Sequence, residues 1–195
     1  MRVGVLALQG DVSEHIDLLR QLGAESFEVR SAQQVATLDG LILPGGESTT
    51  IAQLMRYYGI ETAIQEAYAR GLALYGTCAG LILLAKRIEG RKDGSLALLD
   101  VTAVRNGFGR QINSFEADLS IPVLGEPPFR AVFIRAPYVR DPGPDVEILA
   151  RYEERIVAVR SDRLLASAFH PELSGDPRMH AYFLQMIAAK QPTAV

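Results

Sequence analysis

The chain has a single cysteine, Cys78, which stands in the segment Gly-Thr-Cys-Ala-Gly at residues 76–80. An apolar run typical of a strand precedes this segment at residues 72–75, and an apolar helical run follows it at residues 81–84. A side chain at such a strand-to-helix turn is presented as a nucleophile, and the helix N-terminus behind it favours a thiolate. The alternative is a buried cysteine that serves as a small hydrophobe. The flanking glycines, which permit a strained turn, favour the nucleophile.

A thiolate nucleophile needs a base, and the base needs an orienting group. The segment His-Pro-Glu at residues 170–172 supplies both directly after an apolar strand. We expect this segment to be extended, so that Glu172 lies on the same side as His170 and holds its imidazole. The alternative is an ordinary surface turn before a proline. The other two histidines, His15 and His180, fall in helical patterns, and we interpret them as helix-surface or packing residues.

A second strand end offers backbone donors for an oxyanion. The segment Pro-Gly-Gly-Glu-Ser at residues 44–48 follows an apolar strand and precedes a helical pattern. We expect the N–H groups of Gly46 and Ala79 to point into the crevice that receives Cys78. The alternative is a turn that happens to contain two glycines. Three such segments at strand ends together predict an acyl-transfer site.

The pattern of apolar residues predicts the elements that position these segments. Strands and helices alternate over the first half, with helix N-caps expected at Ser13 and at Ser48 or Thr49. Several short strand-like runs between residues 96 and 167 indicate a mostly antiparallel meander, and a helix near residues 177–190 closes the chain. We therefore predict an α/β fold in one domain, residues 1–195. It has three layers, with a mostly parallel central sheet flanked by helices plus a short antiparallel meander, and ligands at the carboxyl ends of strands.

Composition narrows the possible partners and the compartment. The 20 basic and 23 acidic residues are interspersed and give a net charge of −3, so no nucleic-acid partner is expected. The first apolar run is too short for a signal peptide or a membrane span, and we expect no membrane partner. One cysteine fits a reducing cytoplasm. The cysteine and the dispersed histidines form no ligand-spacing motif, so we expect neither a metal nor a cofactor.

With these residues in hand, the chain resembles the class I glutamine amidotransferases, which share a Gly-x-Cys-x-Gly elbow, a late His-x-Glu and a Pro-Gly-Gly strand end. In detail it is similar to the glutaminase subunits of the pyridoxal 5′-phosphate synthases that make vitamin B6 without deoxyxylulose phosphate. The matching stretches are Leu-Ala-Leu-Gln-Gly (6–10) with Glu14 and His15, Leu-Pro-Gly-Gly-Glu-Ser-Thr-Thr (43–50), Gly-Thr-Cys-Ala-Gly (76–80), Val-Arg-Asn-Gly-Phe-Gly-Arg-Gln (104–111) with Ser-Phe-Glu (114–116), Phe-Ile-Arg-Ala-Pro (133–137), and Phe-His-Pro-Glu-Leu (169–173) with Asp176 and Arg178.

The resemblance implies a flavodoxin-like fold and the hydrolysis of L-glutamine to glutamate and ammonia. It implies a catalytic triad of Cys78, His170 and Glu172. It also implies that glutamine is contacted by Gly46, Glu47, Ser48, Arg105, Ile134 and Arg135.

Glutamine carries an α-carboxylate, which suits Arg105, and an α-ammonium, which suits Glu47. An ordinary surface ion pair for Arg105, and a favourable place at a helix N-terminus for Glu47, are the alternatives. The resemblance further implies that the ammonia passes to a (β/α)8-barrel synthase subunit in a large hetero-oligomeric complex. The first helix around His15 and residues 46–50 are candidates for docking.

Two other functions remain open at this point. A free-standing cysteine hydrolase, acting on γ-glutamyl or peptide substrates, would share the elbow. A catalytically silent subunit that only binds a partner would share the fold.

Overall fold

The computed structural model describes residues 1–90, 96–109 and 114–190. The strands are β1 (Arg2–Leu6), β2 (Glu25–Val29), β3 (Gly40–Leu43), β4 (Ala73–Thr77), β5 (Ala85–Ile88), β6 (Leu99–Val104), β7 (Ser114–Leu119), β8 (Phe129–Ile134), β9 (Tyr138–Arg140), β10 (Glu147–Tyr152), β11 (Arg155–Ser161) and β12 (Leu164–Ser167). The helices are α1 (Val12–Gln21), α2 (Ala32–Val35), α3 (Ser48–Tyr57), α4 (Ile60–Arg70), α5 (Ala79–Leu84) and α6 (Arg178–Lys190).

One large sheet organises the described part of the chain. Its strands run in the order β2-β1-β3-β4-β12-β11-β9-β6-β5, with β10 paired to β11. The half from β2 to β12 is parallel, and β11 pairs antiparallel with β12, β9 and β10. Strands β7 and β8 form a separate antiparallel pair. Strands β3, β4 and β12 are buried along their whole length. The segments that follow their carboxyl ends therefore start at the core.

Helices cover the sheet in two groups. Helix α1 contacts α6, and α6 contacts β4, whereas α2, α3, α4 and α5 form a second chain of contacting helices that reaches β3 through α5. The predicted α/β architecture, with a mostly parallel sheet flanked by helices and an antiparallel part in the second half, is confirmed. Among the described residues, no helix is long and apolar enough to span a membrane.

Several local expectations were wrong. Strands β5 and β9 were not predicted, because β5 continues directly from α5 without a turn residue and β9 has only three residues. Helix α1 has Asp11 as its N-cap, and Ser13 instead donates a side-chain hydrogen bond to Glu14 at 2.9 Å. Helix α3 is capped by Glu47 and not, as was expected, by Ser48 or Thr49.

Candidate active site

The turn at Cys78 is strained. Cys78 has φ 49° and ψ −101° and directly precedes α5, while its backbone N–H donates to the Ser167 carbonyl of β12 at 2.8 Å. A Cβ at Gly76 would lie 2.5 Å from the backbone of Gly80, and a Cβ at Gly80 would overlap the carbonyl oxygen of Leu43. The two glycines are therefore needed for close backbone contact, and the strain itself falls on the cysteine.

His170 and Glu172 lie beside this turn. Nδ1 of His170 is 2.7 Å from Oε1 of Glu172. The imidazole and the sulfur of Cys78 line the same cleft, and the sulfur lies 3.8 Å from the carbonyl oxygen of Ile134. The expectation of an extended segment was wrong, because residues Pro171–Leu173 form a 3-10 turn. His170, with φ −100° and ψ 89°, directly precedes this turn, and the proline occupies its first position, where the fixed φ is suitable. The carboxylate nevertheless reaches the imidazole as predicted.

The electrostatics of the pair favour a charged imidazole. Burial lowers the pKa of His170, but its interactions with the side chains of Cys78 and Glu172 outweigh the effect of burial and raise that pKa to about 10. Burial raises the pKa of Glu172, which lies against the same ring. At neutral pH the arrangement therefore favours an imidazolium between the sulfur and the carboxylate.

The Pro-Gly-Gly strand end lies against the imidazole. A Cβ at Gly45 would overlap Cε1 of His170, so only glycine permits this approach. Gly46 has φ 144° and lines the cleft, as does Ala79. Ala79 is the first residue of α5, so its N–H has no acceptor inside the helix. Both expected oxyanion donors thus lie at the cleft, and their role stays a prediction.

Glu47, rather than Ser48 or Thr49, is the N-cap of α3. Its carboxylate accepts hydrogen bonds from the N–H groups of Thr49 at 3.1 Å and Thr50 at 2.7 Å. Burial raises the pKa of Glu47, but these bonds outweigh it and lower the pKa to about 2. Arg105 lies 3.4 Å from the same carboxylate. Both alternatives considered for this pair, a cap for Glu47 and an ion pair for Arg105, are therefore present.

A cleft of about 240 Å³ joins these groups. Pockets for drug-sized ligands measure roughly 300–1,000 Å³, so the size suits a small molecule. Its lining comprises Gly10, Asp11, Gly46, Glu47, Ser48, Cys78, Ala79, Ile82, Arg105, Asn106, Ile134, Arg135 and His170. Every expected site residue lines it except Glu172, which is buried behind the imidazole. Arg110 and Gln111 of the matching stretch lie outside the described residues.

Sequence reasoning assigned no site role to four residues that line the cleft: Gly10, Asp11, Ile82 and Asn106. Oδ2 of Asp11 is 3.6 Å from Nδ1 of His170. Asp11 follows β1, which pairs with β3, so the rule that ligands bind at the carboxyl ends of parallel strands could have found it. Asp11, His170 and Glu172 place one ligand-type atom each within 4.8 Å. Since Nδ1 of His170 already bonds Glu172, the ring would have to break that bond to hold a metal through this nitrogen.

Of the two roles considered for His15 and His180, the structure excludes helix surface and confirms packing. Both are fully buried, and Nδ1 of His15 is 2.8 Å from Nε2 of His180. His15 is therefore also excluded as an exposed docking residue. Its other nitrogen lies 3.4 Å from Oε2 of Glu172, directly behind the candidate triad.

Known proteins resemble this chain over almost its whole length. The model of the SNO glutamine amidotransferase family matches residues 5–189. The pyridoxal 5′-phosphate synthase subunit PdxT of Oenococcus oeni is 56% identical over 186 residues, covering 95% of this chain and 96% of that protein. PdxT of Niallia circulans is 55% identical over 188 residues, covering 96% and 98%.

Solved structures extend the likeness to the fold. The crystal structure of a glutamine amidotransferase has a TM-score of 0.90 at 51% identity, covering 95% of this chain and 98% of that one. A chain of PurLQS from Thermotoga maritima shares the fold, with a TM-score of 0.69 at 20% identity over 98% and 99% of the two chains. The class I glutamine amidotransferase fold implied by the resemblance is thus confirmed. The chain belongs to the SNO glutamine amidotransferase family.

Proposed function

We propose that this chain hydrolyses L-glutamine to L-glutamate and ammonia through Cys78, His170 and Glu172. The observation that carries the proposal is a strained cysteine in the same cleft as an imidazole whose Nδ1 lies 2.7 Å from a buried carboxylate. The family match and the names of the relatives support glutamine as the substrate.

Acylation begins with attack of the Cys78 thiolate on the side-chain carbonyl carbon of glutamine. The tetrahedral oxyanion would be stabilised by the N–H groups of Gly46 and Ala79. Because Nδ1 of His170 is hydrogen-bonded to Glu172, Nε2 is the nitrogen left to carry the mobile proton. That proton passes to the amide nitrogen, and the C–N bond breaks. Ammonia departs, and the γ-glutamyl group remains on Cys78 as a thioester.

Deacylation uses the same groups in the reverse sense. Nε2 of His170, now unprotonated, takes a proton from water, and the hydroxide attacks the thioester carbonyl. The C–S bond breaks, glutamate leaves, and the thiolate and the imidazolium are restored. Glu172 keeps the imidazole in the tautomer that both steps require.

Recognition of glutamine is assigned to the charged rim of the cleft. Arg105 is placed to pair with the α-carboxylate, and Glu47 with the α-ammonium. Because these two side chains already form an ion pair 3.4 Å long, a substrate zwitterion would insert between complementary charges. Ser48, Ile134 and Arg135 complete the contacts along the same wall.

Ammonia made here is proposed to pass to a separate synthase subunit, the (β/α)8 barrel of a pyridoxal 5′-phosphate synthase. Supporting this, the relatives at 55% and 56% identity are named as subunits of that synthase and are covered almost completely by this chain. We also propose that the protein works in the cytoplasm, where reducing conditions keep the Cys78 thiol free.

The experiment measures ammonia and glutamate released from glutamine with and without the barrel subunit. We expect a low rate for the chain alone, a higher rate with the partner, and none for Cys78→Ala with the partner. Turnover by Cys78→Ala would refute the mechanism, whereas the absence of turnover in the wild-type complex would identify a silent binding subunit. Faster cleavage of γ-glutamyl peptides than of free glutamine would identify a hydrolase instead.

A further inference from the structure

The candidate triad uses only one of the two carboxylate oxygens of Glu172. Oε1 accepts from His170, whereas Oε2 is buried and has no hydrogen-bond partner among the described residues. The nearest ring nitrogen, Nε2 of His15, is 3.4 Å away, slightly beyond the usual range of hydrogen bonds. A buried carboxylate oxygen without a donor is destabilising, so this contact requires an explanation.

His15 and His180 form a buried pair behind this oxygen. Neither side chain is exposed, and Nδ1 of His15 lies 2.8 Å from Nε2 of His180. Burial, together with the neighbouring rings of His180 and His170, keeps the pKa of His15 well below its ordinary value. Burial alone lowers the pKa of His180 to about 4. At neutral pH both imidazoles are therefore neutral, and each has one N–H and one lone pair.

Only one arrangement of these two protons satisfies the cluster. If His15 carried its proton on Nδ1, its Nε2 lone pair would face the carboxylate, and the proton of His180 would lie on Nδ1, which has no partner within the described residues. If both protons lie on Nε2, His180 donates to His15, and His15 donates towards Glu172. The unpartnered Nδ1 of His180 then carries only a lone pair, so no buried N–H is left without an acceptor.

We propose that His15 is a positioning residue that donates its Nε2–H to Oε2 of Glu172, and that His180 fixes the tautomer that makes this possible. The inference rests on the proposed role of Glu172 in glutamine hydrolysis. With both carboxylate oxygens held, Glu172 is fixed against rotation and stays ionised beside the imidazolium of His170. The triad thus becomes the outer part of a chain of five side chains that runs from Cys78 into the core.

Two neighbouring side chains support the same arrangement. Oγ1 of Thr77 is 3.4 Å from Nε2 of His15, and this hydroxyl can accept from the Nε2–H that the proposal places there. The ring of Tyr75 packs edge-on against His180 with centroids 6.2 Å apart, and its hydroxyl lies 3.1 Å from Oγ of Ser167. Packing therefore restrains the ring of His180 as well.

The deciding measurement is the ¹⁵N NMR spectrum of the histidine rings in the wild-type full chain near neutral pH. The chain has only three histidines, so variants that lack one ring each assign all the signals. We expect His15 and His180 to be neutral with the proton on Nε2. A proton on Nδ1 of His15, or a charged His15, would overturn the proposal, whether or not the protein hydrolyses glutamine.

A matched pair of variants tests the functional consequence in the complex with the barrel subunit. His15→Gln retains an N–H donor at this position, whereas His15→Leu removes it. We expect roughly a tenfold loss of kcat for His15→Leu, with KM within twofold, and kcat within about threefold of wild type for His15→Gln. Equal rates for the two variants would contradict the proposal.

A third variant covers the case in which His15→Leu does not fold. His180→Phe keeps the ring shape but removes the N–H that His15 accepts. Loss of the Nε2-protonated form of His15 in its spectrum, together with a reduced kcat, is expected. An unchanged spectrum and rate would refute the role of His180. If wild type does not turn over glutamine, the proposed function fails, whereas the NMR result decides the proton arrangement independently.

Discussion

The glycine at position 45 offers a way to move the catalytic imidazole without altering a catalytic side chain. Gly45 follows β3, and a Cβ there would lie 3.1 Å from Nδ1 and 3.3 Å from Nε2 of His170 and would overlap Cε1. The backbone of Gly45 does not have a positive φ, so Gly45→Ala adds a methyl group without adding dihedral strain. The whole effect of the substitution should therefore act through the ring.

The expected size follows from the displacement. Carbon atoms in contact lie roughly 3.5–4.0 Å apart, so the imidazole must shift by roughly 1 Å to accommodate the methyl group. A misplacement of about 1 Å in a catalytic constellation reduces turnover by roughly 10²-fold. Added core volume destabilises a protein by about 1–3 kcal/mol, which lowers Tm by roughly 2–4 °C per kcal/mol at this chain length. Activity should thus fall far more than stability.

Two assays measure this effect, and a matched control separates it from general overpacking. Glutamine turnover in the complex reports kcat, and iodoacetamide labels the single cysteine at a rate that reports its thiolate. Gly40→Ala, at the start of the same strand, places a Cβ 2.5 Å from the terminal methyl group of Ile187, far from the cleft. We expect comparable Tm losses, with turnover and labelling slowed only in Gly45→Ala. A Gly45→Ala variant within threefold of wild-type kcat would refute the assigned geometry.

Three further predictions follow from the site. Glu172→Gln should lower kcat by roughly 10²–10⁴-fold with little change in KM, because a neutral amide no longer stabilises the imidazolium; an equal effect on both constants would contradict this. Arg105→Ala should raise KM for glutamine by roughly 10- to 100-fold at constant kcat, because an interaction common to ground and transition states is lost; an unchanged KM would reassign this arginine. Since the pKa of buried His180 is lowered from 6.5 to about 4, its stabilising contribution is present above pH 6.5 and is lost as pH falls towards 4. Between about pH 6 and 5 the free energy of unfolding, measured with urea, should therefore fall by about 1.2 kcal/mol more in wild type than in His180→Phe, and equal losses would contradict the burial argument.

The elbow and its partners could be predicted from the sequence because each depends on local chain geometry. A strand followed by Gly-x-Cys-x-Gly permits few conformations, and the parallel strands that precede Cys78 and His170 are neighbours in the sheet. Their carboxyl ends therefore meet at the same edge. The alternation of apolar runs was enough to predict this half of the sheet.

What could not be predicted depends on contacts between distant elements or on competition between neighbouring residues. Glu47 replaces Ser48 as the cap because its longer side chain reaches two N–H groups at once. The helical patterns around His15 and His180 fit either a surface or a packing role, and the contact between α1 and α6, which buries both rings, decides for packing. The approach of His15 to Glu172 joins residues from opposite ends of the chain, and no local pattern encodes it.

The covalent intermediate provides the most direct test of the central claim. Glutamine is mixed with the complex of this chain and the barrel subunit, the reaction is quenched in acid within one turnover, and the intact mass and the modified peptide are measured. We expect a mass increase of one γ-glutamyl group on the peptide that contains Cys78, and its absence in Cys78→Ala. Steady glutamine turnover with no adduct on Cys78, or with an adduct on another residue, would contradict nucleophilic catalysis by this cysteine.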